Sequence, residues 1–201
     1  MKEKVLITGG SGFLGFHIIN AACIANLDVY AAIRPNSNVK HLAHLPVQYI
    51  YLDYSDVDAM AREIEDKNFS YIIHAAGITK SITEEAYDVI NNRFTTNLAL
   101  AAARNINSIK KFVFVSSLAA CGPLKSIDGY IKEDIEPRPV TAYGRSKLNA
   151  ENNILKLNLP VIILRPTAIY GPREKDIFLV TSTINKGWDF YIGKNDQKLS
   201  F

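Results

Sequence analysis

Val5-Leu6-Ile7-Thr8-Gly9-Gly10-Ser11-Gly12-Phe13-Leu14-Gly15 decides the reading of this chain. A short apolar run is followed at once by closely spaced glycines, and then by a helical pattern from Phe13 to Asn26. A continuous apolar run of this length suits a strand buried on both faces. Gly10-x-Gly12-x-x-Gly15 fits the spacing of a dinucleotide-binding turn, and Gly9-x-x-Gly12-x-x-Gly15 is also present. The chemistry asks for glycine three times over. The turn is tight, the backbone must come close to a pyrophosphate, and the helix must pack closely on the strand. The helix N-terminus then turns N–H groups and a positive dipole end toward phosphate.

Working outward, apolar runs alternate with helical patterns along the chain. Strands are expected at Asp28 to Ile33, Val47 to Leu52, Tyr71 to Ala75, Lys111 to Ser116 and Pro160 to Leu164. Helices are expected at Asp56 to Lys67, Glu84 to Asn105 and Thr141 to Asn158. This alternation predicts an α/β fold, a Rossmann-type doubly wound parallel sheet with helices on both faces. Gly122 to Val140, with Pro123, Pro137 and Pro139, reads as a long loop of the kind that often carries function.

Bulk properties narrow the classes. The 201 residues suit one domain with part of a second. A formal charge of +3, with Lys and Arg scattered, gives no basis for nucleic-acid binding. No apolar stretch is long enough for a bilayer, and Cys23 and Cys121 form no metal-binding pair, so the expectations are no membrane, no metal and a cytoplasmic protein.

The second strand ends without the acidic residue that would bind a ribose 2′-hydroxyl. Arg34 stands there instead, with Asn36, Ser37 and Lys40 behind it. A guanidinium suits a 2′-phosphate, so NADP is expected, with NAD as the alternative. Asp53 is either an acceptor for the adenine amino group or a cap of the turn Asp53-Tyr54-Ser55-Asp56.

Further motifs follow in order. Thr8-Gly9-x-x-Gly12-Phe13-Leu14-Gly15, His74-Ala75-Ala76-Gly77, Phe114-Val115-Ser116-Ser117, Tyr143-Gly144-Arg145-Ser146-Lys147 and Leu164-Arg165-Pro166-Thr167-Ala168-Ile169-Tyr170-Gly171-Pro172 together resemble the extended short-chain dehydrogenase/reductase family. The resemblance implies a cofactor site at Gly9, Gly12, Phe13, Leu14, Gly15, Arg34, Ser37, Asp53, Tyr54, Ala75, Ala76, Gly77, Tyr143, Lys147 and Pro166. It also implies catalytic roles for Ser117, Tyr143 and Lys147, with Asn92 supporting the lysine. The segment Ile33 to Leu42 looks most like the family's reductases. Leu118-Ala119 replaces the Asp-Glu pair of its dehydratases, and Cys121-Gly122 replaces a Tyr-Gly common in its epimerases.

Tyr143 and Lys147 are four apart and share a helix face. An adjacent ammonium would lower the phenol's pKa, and Tyr143 would exchange a proton with a substrate alcohol or carbonyl as hydride moves. Ser117 would hold the same oxygen. The expected activity is an NAD(P)-dependent reductase-type hydride transfer on a small molecule: a sugar nucleotide, a flavonoid- or steroid-like carbonyl or another alcohol. A nucleotide-sugar epimerase is the alternative, and an NADP-binding sensor is the reading from another class. His74, flanked by Ile72 and Ile73, reads as a satisfied histidine. Ala-rich faces on the helices at 84–105 and 141–158 suggest a homodimer. The dinucleotide-binding domain is expected over 1–170, with 171–201 opening a truncated substrate-binding region. A hairpin at Asp189-Phe190-Tyr191-Ile192-Gly193 and Lys198-Leu199-Ser200-Phe201, and packing roles for Trp188 and Tyr191, are expected near the end.

Overall fold

The structure is a computed structural model and describes residues 2–124 and 129–188. Six strands, β1 (Lys4–Thr8), β2 (Asp28–Ala32), β3 (Val47–Ile50), β4 (Tyr71–His74), β5 (Lys111–Val115) and β6 (Val161–Leu164), form one sheet in the order β3-β2-β1-β4-β5-β6. Every neighbouring pair is parallel. The chain winds outward from β1 in one direction, then returns to β4 and winds in the other. That reversal opens a crevice at the carboxyl ends of β1 and β4, where ligands bind in such sheets.

The helices are α1 (Phe13–Ile24), α2 (Val57–Lys67), α3 (Glu84–Tyr87), α4 (Phe94–Arg104), α5 (Ala142–Ile154) and α6 (Asp176–Asn185). Leu6, Ile72, Phe112 and Phe114 point to one face of the sheet and pack with Leu98, Ala101, Ala150 and Ile154. Val5, Ile7, Val29 and Ala31 point to the other and pack with Ile19 and Ala22 of α1. Burial on both faces explains why these strands read as unbroken apolar runs.

Side chains cap three helices: Asp56 accepts from Ala59 N at 2.8 Å, Thr83 from Ala86 N at 3.3 Å and Thr141 from Gly144 N at 3.0 Å. Asp56 and Thr141 thus stand just outside helices that the pattern places them in. Helix α1 starts at Gly12 with no capping side chain. Asn26, in the left-handed region at φ 61°, stops it.

Two expectations change here. The long helix at 84–105 is interrupted: Asp88–Arg93 forms a π-turn between α3 and α4. Periodicity alone assumes 3.6 residues per turn and cannot register one extra residue. The alanine argument for a dimer also loses its basis, because Ala99, Ala101, Ala102 and Ala150 pack inside the protomer's own core. Trp188 is 63% exposed, and its backbone N–H donates to the Thr183 carbonyl at 3.2 Å. The proposed hairpin and Tyr191 lie outside the described residues. No helix among the described residues is long and apolar enough to cross a membrane.

Candidate functional site

The glycine turn joins β1 to α1 at the crevice. Gly9 has φ 73°, and a Cβ there would come within 2.8 Å of the Ala75 carbonyl oxygen. The first turn therefore rests directly on the backbone leaving β4. A Cβ on Gly15 would lie 2.1 Å from Gly9 O, so α1 crosses the turn in direct backbone contact. Gly12 differs. Its φ of −83° suits any residue, and a Cβ would meet only Gly9 O, at 3.2 Å. Glycine at this position keeps space clear above the uncapped helix N-terminus. The residues present therefore fit a dinucleotide pyrophosphate: a bare backbone, a helix N-terminus and no side chain in the way.

Arg34 follows β2 and is exposed. Ser37 closes a tight turn around it, with Ser37 N donating to Arg34 O at 2.9 Å and Arg34 N donating to Ser37 Oγ at 3.2 Å. Asp53 is engaged in its own turn, since its Oδ1 accepts from Ser55 N at 2.9 Å and from Ser55 Oγ at 2.5 Å. Those bonds hold its carboxyl below the usual range. Of the two readings of Asp53, the turn cap is the one the geometry displays. Tyr54 is turned inward. Its ring stacks on Phe94 at 5.7 Å, and burial pushes its phenol up to about 12 despite a hydrogen bond with Thr8. Its side chain is held within the fold, its ring on Phe94 and its phenol beside Thr8.

His74 ends β4 fully buried, with Thr8 Oγ1 2.7 Å from Nδ1 and Thr95 Oγ1 2.8 Å from Nε2. Ala76 N donates to Thr8 Oγ1 at 3.1 Å, and Thr95 Oγ1 donates to Asn91 O at 2.8 Å. The consistent assignment has Thr8 donating to Nδ1 and Nε2–H donating to Thr95. Burial, with the Lys147 charge, lowers His74 to about 3, so it is neutral. This satisfied histidine fixes Ala75 and Ala76 against the glycine turn.

Ser117 follows β5 and opens a short 3₁₀ turn, Leu118–Ala120, accepting from Ala119 N at 3.1 Å. Its hydroxyl lies beside the Tyr143 phenol. Pro166 holds this turn from the β6 side, its carbonyl accepting from Leu118 N at 2.8 Å. Burial raises the Tyr143 phenol, and Ser117 draws it partly back. The sequence reading has Lys147 lowering that phenol. Here Lys147 Nζ instead donates to the Val115 carbonyl at 2.7 Å and sits 4.4 Å from the Phe114 ring centre. The lysine is buried, and desolvation lowers it to about 8 against the pull of Glu151.

The helix asparagine expected to support the lysine is Asn92. The π-turn instead directs Asn92 to Asp88 (2.7 Å) and Asn153 (3.0 Å). Asn91 faces the site: it bonds Ile78 N and Ile78 O at 2.9 Å each and donates to Ser146 Oγ at 3.2 Å. A Cβ on Gly77 would meet Asn91 Oδ1 at 2.9 Å and Lys147 Nζ at 3.9 Å. Asn91 was not singled out because only the π-turn distinguishes it from its neighbour.

Sequence reasoning also missed a buried ion pair behind the site. Arg165 Nη2 donates to Glu151 Oε2 at 2.5 Å, and Ser116 Oγ donates to Glu151 Oε1. Arg165 Nη1 lies 3.5 Å from Cys121 Sγ. This pair ties α5 to the end of β6. Among the described residues no group of three or more His, Cys, Asp and Glu is placed to hold a metal ion.

Comparison with known proteins is consistent with this geometry. Residues 5–190 match the model of the NAD dependent epimerase/dehydratase family. UDP-glucose 4-epimerase of Vibrio cholerae is 26% identical, over 98% of this chain and 61% of its own length. The 3 beta-hydroxysteroid dehydrogenase/Delta 5-->4-isomerase of Vaccinia virus (strain Western Reserve) is 32% identical, over 84% of this chain and 53% of its own. The solved UDP-glucuronic acid 4-epimerase of Bacillus cereus in complex with NAD superposes with a TM-score of 0.72 at 26% identity, over 86% of this chain and 59% of that one. The chain thus spans between half and two thirds of the length of these relatives.

Proposed function

Because this chain belongs to the NAD dependent epimerase/dehydratase family, we propose that it binds a nicotinamide dinucleotide in the glycine turn and serves hydride transfer at a carbinol or carbonyl carbon, with Tyr143 as the proton carrier. The observation that carries the reading is the Tyr143 phenol brought beside the Ser117 hydroxyl, with Lys147 one helical turn away, at the same end of the sheet as the uncapped α1. The dinucleotide supplies the hydride acceptor or donor. Everything else falls to this chain. Gly9, Gly12 and Gly15 keep the backbone bare for the pyrophosphate, and the N–H groups of Phe13 and Leu14 face it. Tyr143 takes the proton from a substrate hydroxyl as its carbon is oxidised, or returns it to the oxygen of a carbonyl as that is reduced. Ser117 holds that oxygen in line. Asn91 braces the lysine's helix through Ser146. Ala75, Ala76 and Gly77 line the approach to the nicotinamide.

NADP is our preferred dinucleotide, on the strength of Arg34 and the lack of an acid at the end of β2. A second reading is an NAD-linked nucleotide-sugar epimerase, favoured by the likeness to the V. cholerae and B. cereus epimerases. A sensor module needs no proton carrier, so the buried Lys147 beside Tyr143 and Ser117 argues against it.

The test is titration with NADPH and NADH, followed by nicotinamide fluorescence. Binding of either supports the reading, and binding of neither overturns it. Tyr143→Phe should leave that binding intact. With UDP-glucose or a hydroxysteroid as substrate, it should lower turnover by roughly 10²- to 10⁴-fold.

A further inference from the structure

We infer that residues 171–176 form a strap over the glycine cradle, in which Arg173, seated on α1 at Phe16, grips the phosphates of a bound dinucleotide. This rests on the cradle reading above and adds a residue to it. The strap links β6 to α6 and passes over the start of α1. Between strap and glycine turn runs a groove of about 450 Å³, with Ser11, Gly12 and Phe13 on one wall and Arg173, Glu174, Lys175 and Asp176 on the other.

The charges of the strap are sorted. Glu174 lines the groove with its carboxylate already engaged, accepting from the N–H groups of Asp176 (2.6 Å), Ile177 (2.7 Å) and Phe178 (3.2 Å) at the start of α6. Asp176 is paired with Lys80 at 2.8 Å. No carboxylate among the described residues pairs with Arg173 or Lys175. The Arg173 guanidinium lies 4.6 Å from the centre of the Phe16 ring, and its charge helps to lower His41 on the groove wall. A planar guanidinium that pairs with no carboxylate and lines the same groove as the first residues of α1 is suited to a phosphate, which it can meet with paired donors.

The backbone gives an independent reason. Arg173 has φ 81°, a conformation that non-glycine residues rarely adopt and that costs free energy for a long side chain. It is held there from both sides. His17 Nε2 donates to the Pro172 carbonyl at 2.9 Å on one flank, and the Lys80–Asp176 pair anchors the other. An arginine held at positive φ, with both flanks of its segment bonded and its side chain on the groove shared with Gly12 and Phe13, is what a preorganised anion grip requires.

The experiment is calorimetric titration of the wild-type chain with ADP-ribose, which carries the pyrophosphate but no nicotinamide, and with adenosine, which carries no phosphate. Arg173→Ala should weaken ADP-ribose binding about tenfold or more and leave adenosine unchanged. Arg173→Gly should lose the same affinity while its melting temperature holds or rises, because glycine relieves the positive φ. If the wild type binds ADP-ribose and both variants bind it equally well, the strap is overturned and the cradle stands. If adenosine binding falls in parallel, Arg173 acts on the fold and the strap is again overturned. If the wild type binds no ADP-ribose, the cradle reading itself fails and the strap falls with it.

Discussion

Gly144 lies directly on the backbone of Ala119: a Cβ there would stand 2.3 Å from the Ala119 carbonyl oxygen and 3.0 Å from its carbon. The helix that carries Tyr143 is thereby seated on the turn that carries Ser117. Gly144→Ala should push the two apart. The expected loss is about 1–3 kcal/mol of stability from overpacking, read by denaturant unfolding. Turnover should fall further than this, since the approach of Tyr143 to Ser117 depends on the contact.

Arg34 is exposed and held in a turn by Ser37, so its removal should leave the fold intact. Arg34→Ala should weaken NADPH binding by about tenfold and leave NADH unchanged in a fluorescence titration. Equal affinities for both cofactors in the wild type would deprive Arg34 of this role and put the NAD-linked epimerase first.

His74 is neutral in the fold, with a pKa lowered from 6.5 to about 3. The unfolded chain takes up a proton below about pH 6.5, while the folded chain does not. Stability from this group is therefore full above pH 6.5 and falls as the pH drops toward 3. His74→Asn should flatten that limb of the stability–pH curve. Urea unfolding at pH 7, 5.5 and 4.5 would read the slope.

Glu151 is 1% exposed and is held by Arg165 and Ser116. Arg165→Met leaves its charge buried and uncompensated, and should cost about 3–5 kcal/mol. Pairing it with Glu151→Met should recover most of that loss. Equal destabilisation in the single and double variants would show that packing, not charge, dominates.

Much of the fold is legible in the chain. Strands buried on both faces leave unbroken apolar runs, as in Val5-Leu6-Ile7 and Phe112-Val113-Phe114-Val115, and glycines mark the tight crossing of β1 and α1. Tyr143, Lys147 and Ser117 are legible because their spacing places them on one helix and at one strand end. The rest depends on contacts distant in sequence. Tyr54 reads as a cofactor residue until Phe94 and Thr8 are found to hold it. Arg165 finds Glu151 across the sheet end, and Arg173 acquires its setting only because Phe16 lies beneath it. A helix pattern also carries no mark of which alanines face the sheet, so Ala99 and Ala102 could be taken for an interface.

The π-turn at Asp88–Arg93 makes this stretch sensitive to length rather than to composition. Removing one residue within it would let the helix close into regular α-turns. Each residue of an α-helix accounts for about 100° of rotation. The π-turn already absorbs that rotation, so the deletion would keep the faces of α3 and α4 and re-aim the residues within the turn, taking Asn91 from Ile78 and Ser146. Most single substitutions on the exposed surface of α3 should be tolerated, while a one-codon deletion between 88 and 93 should not.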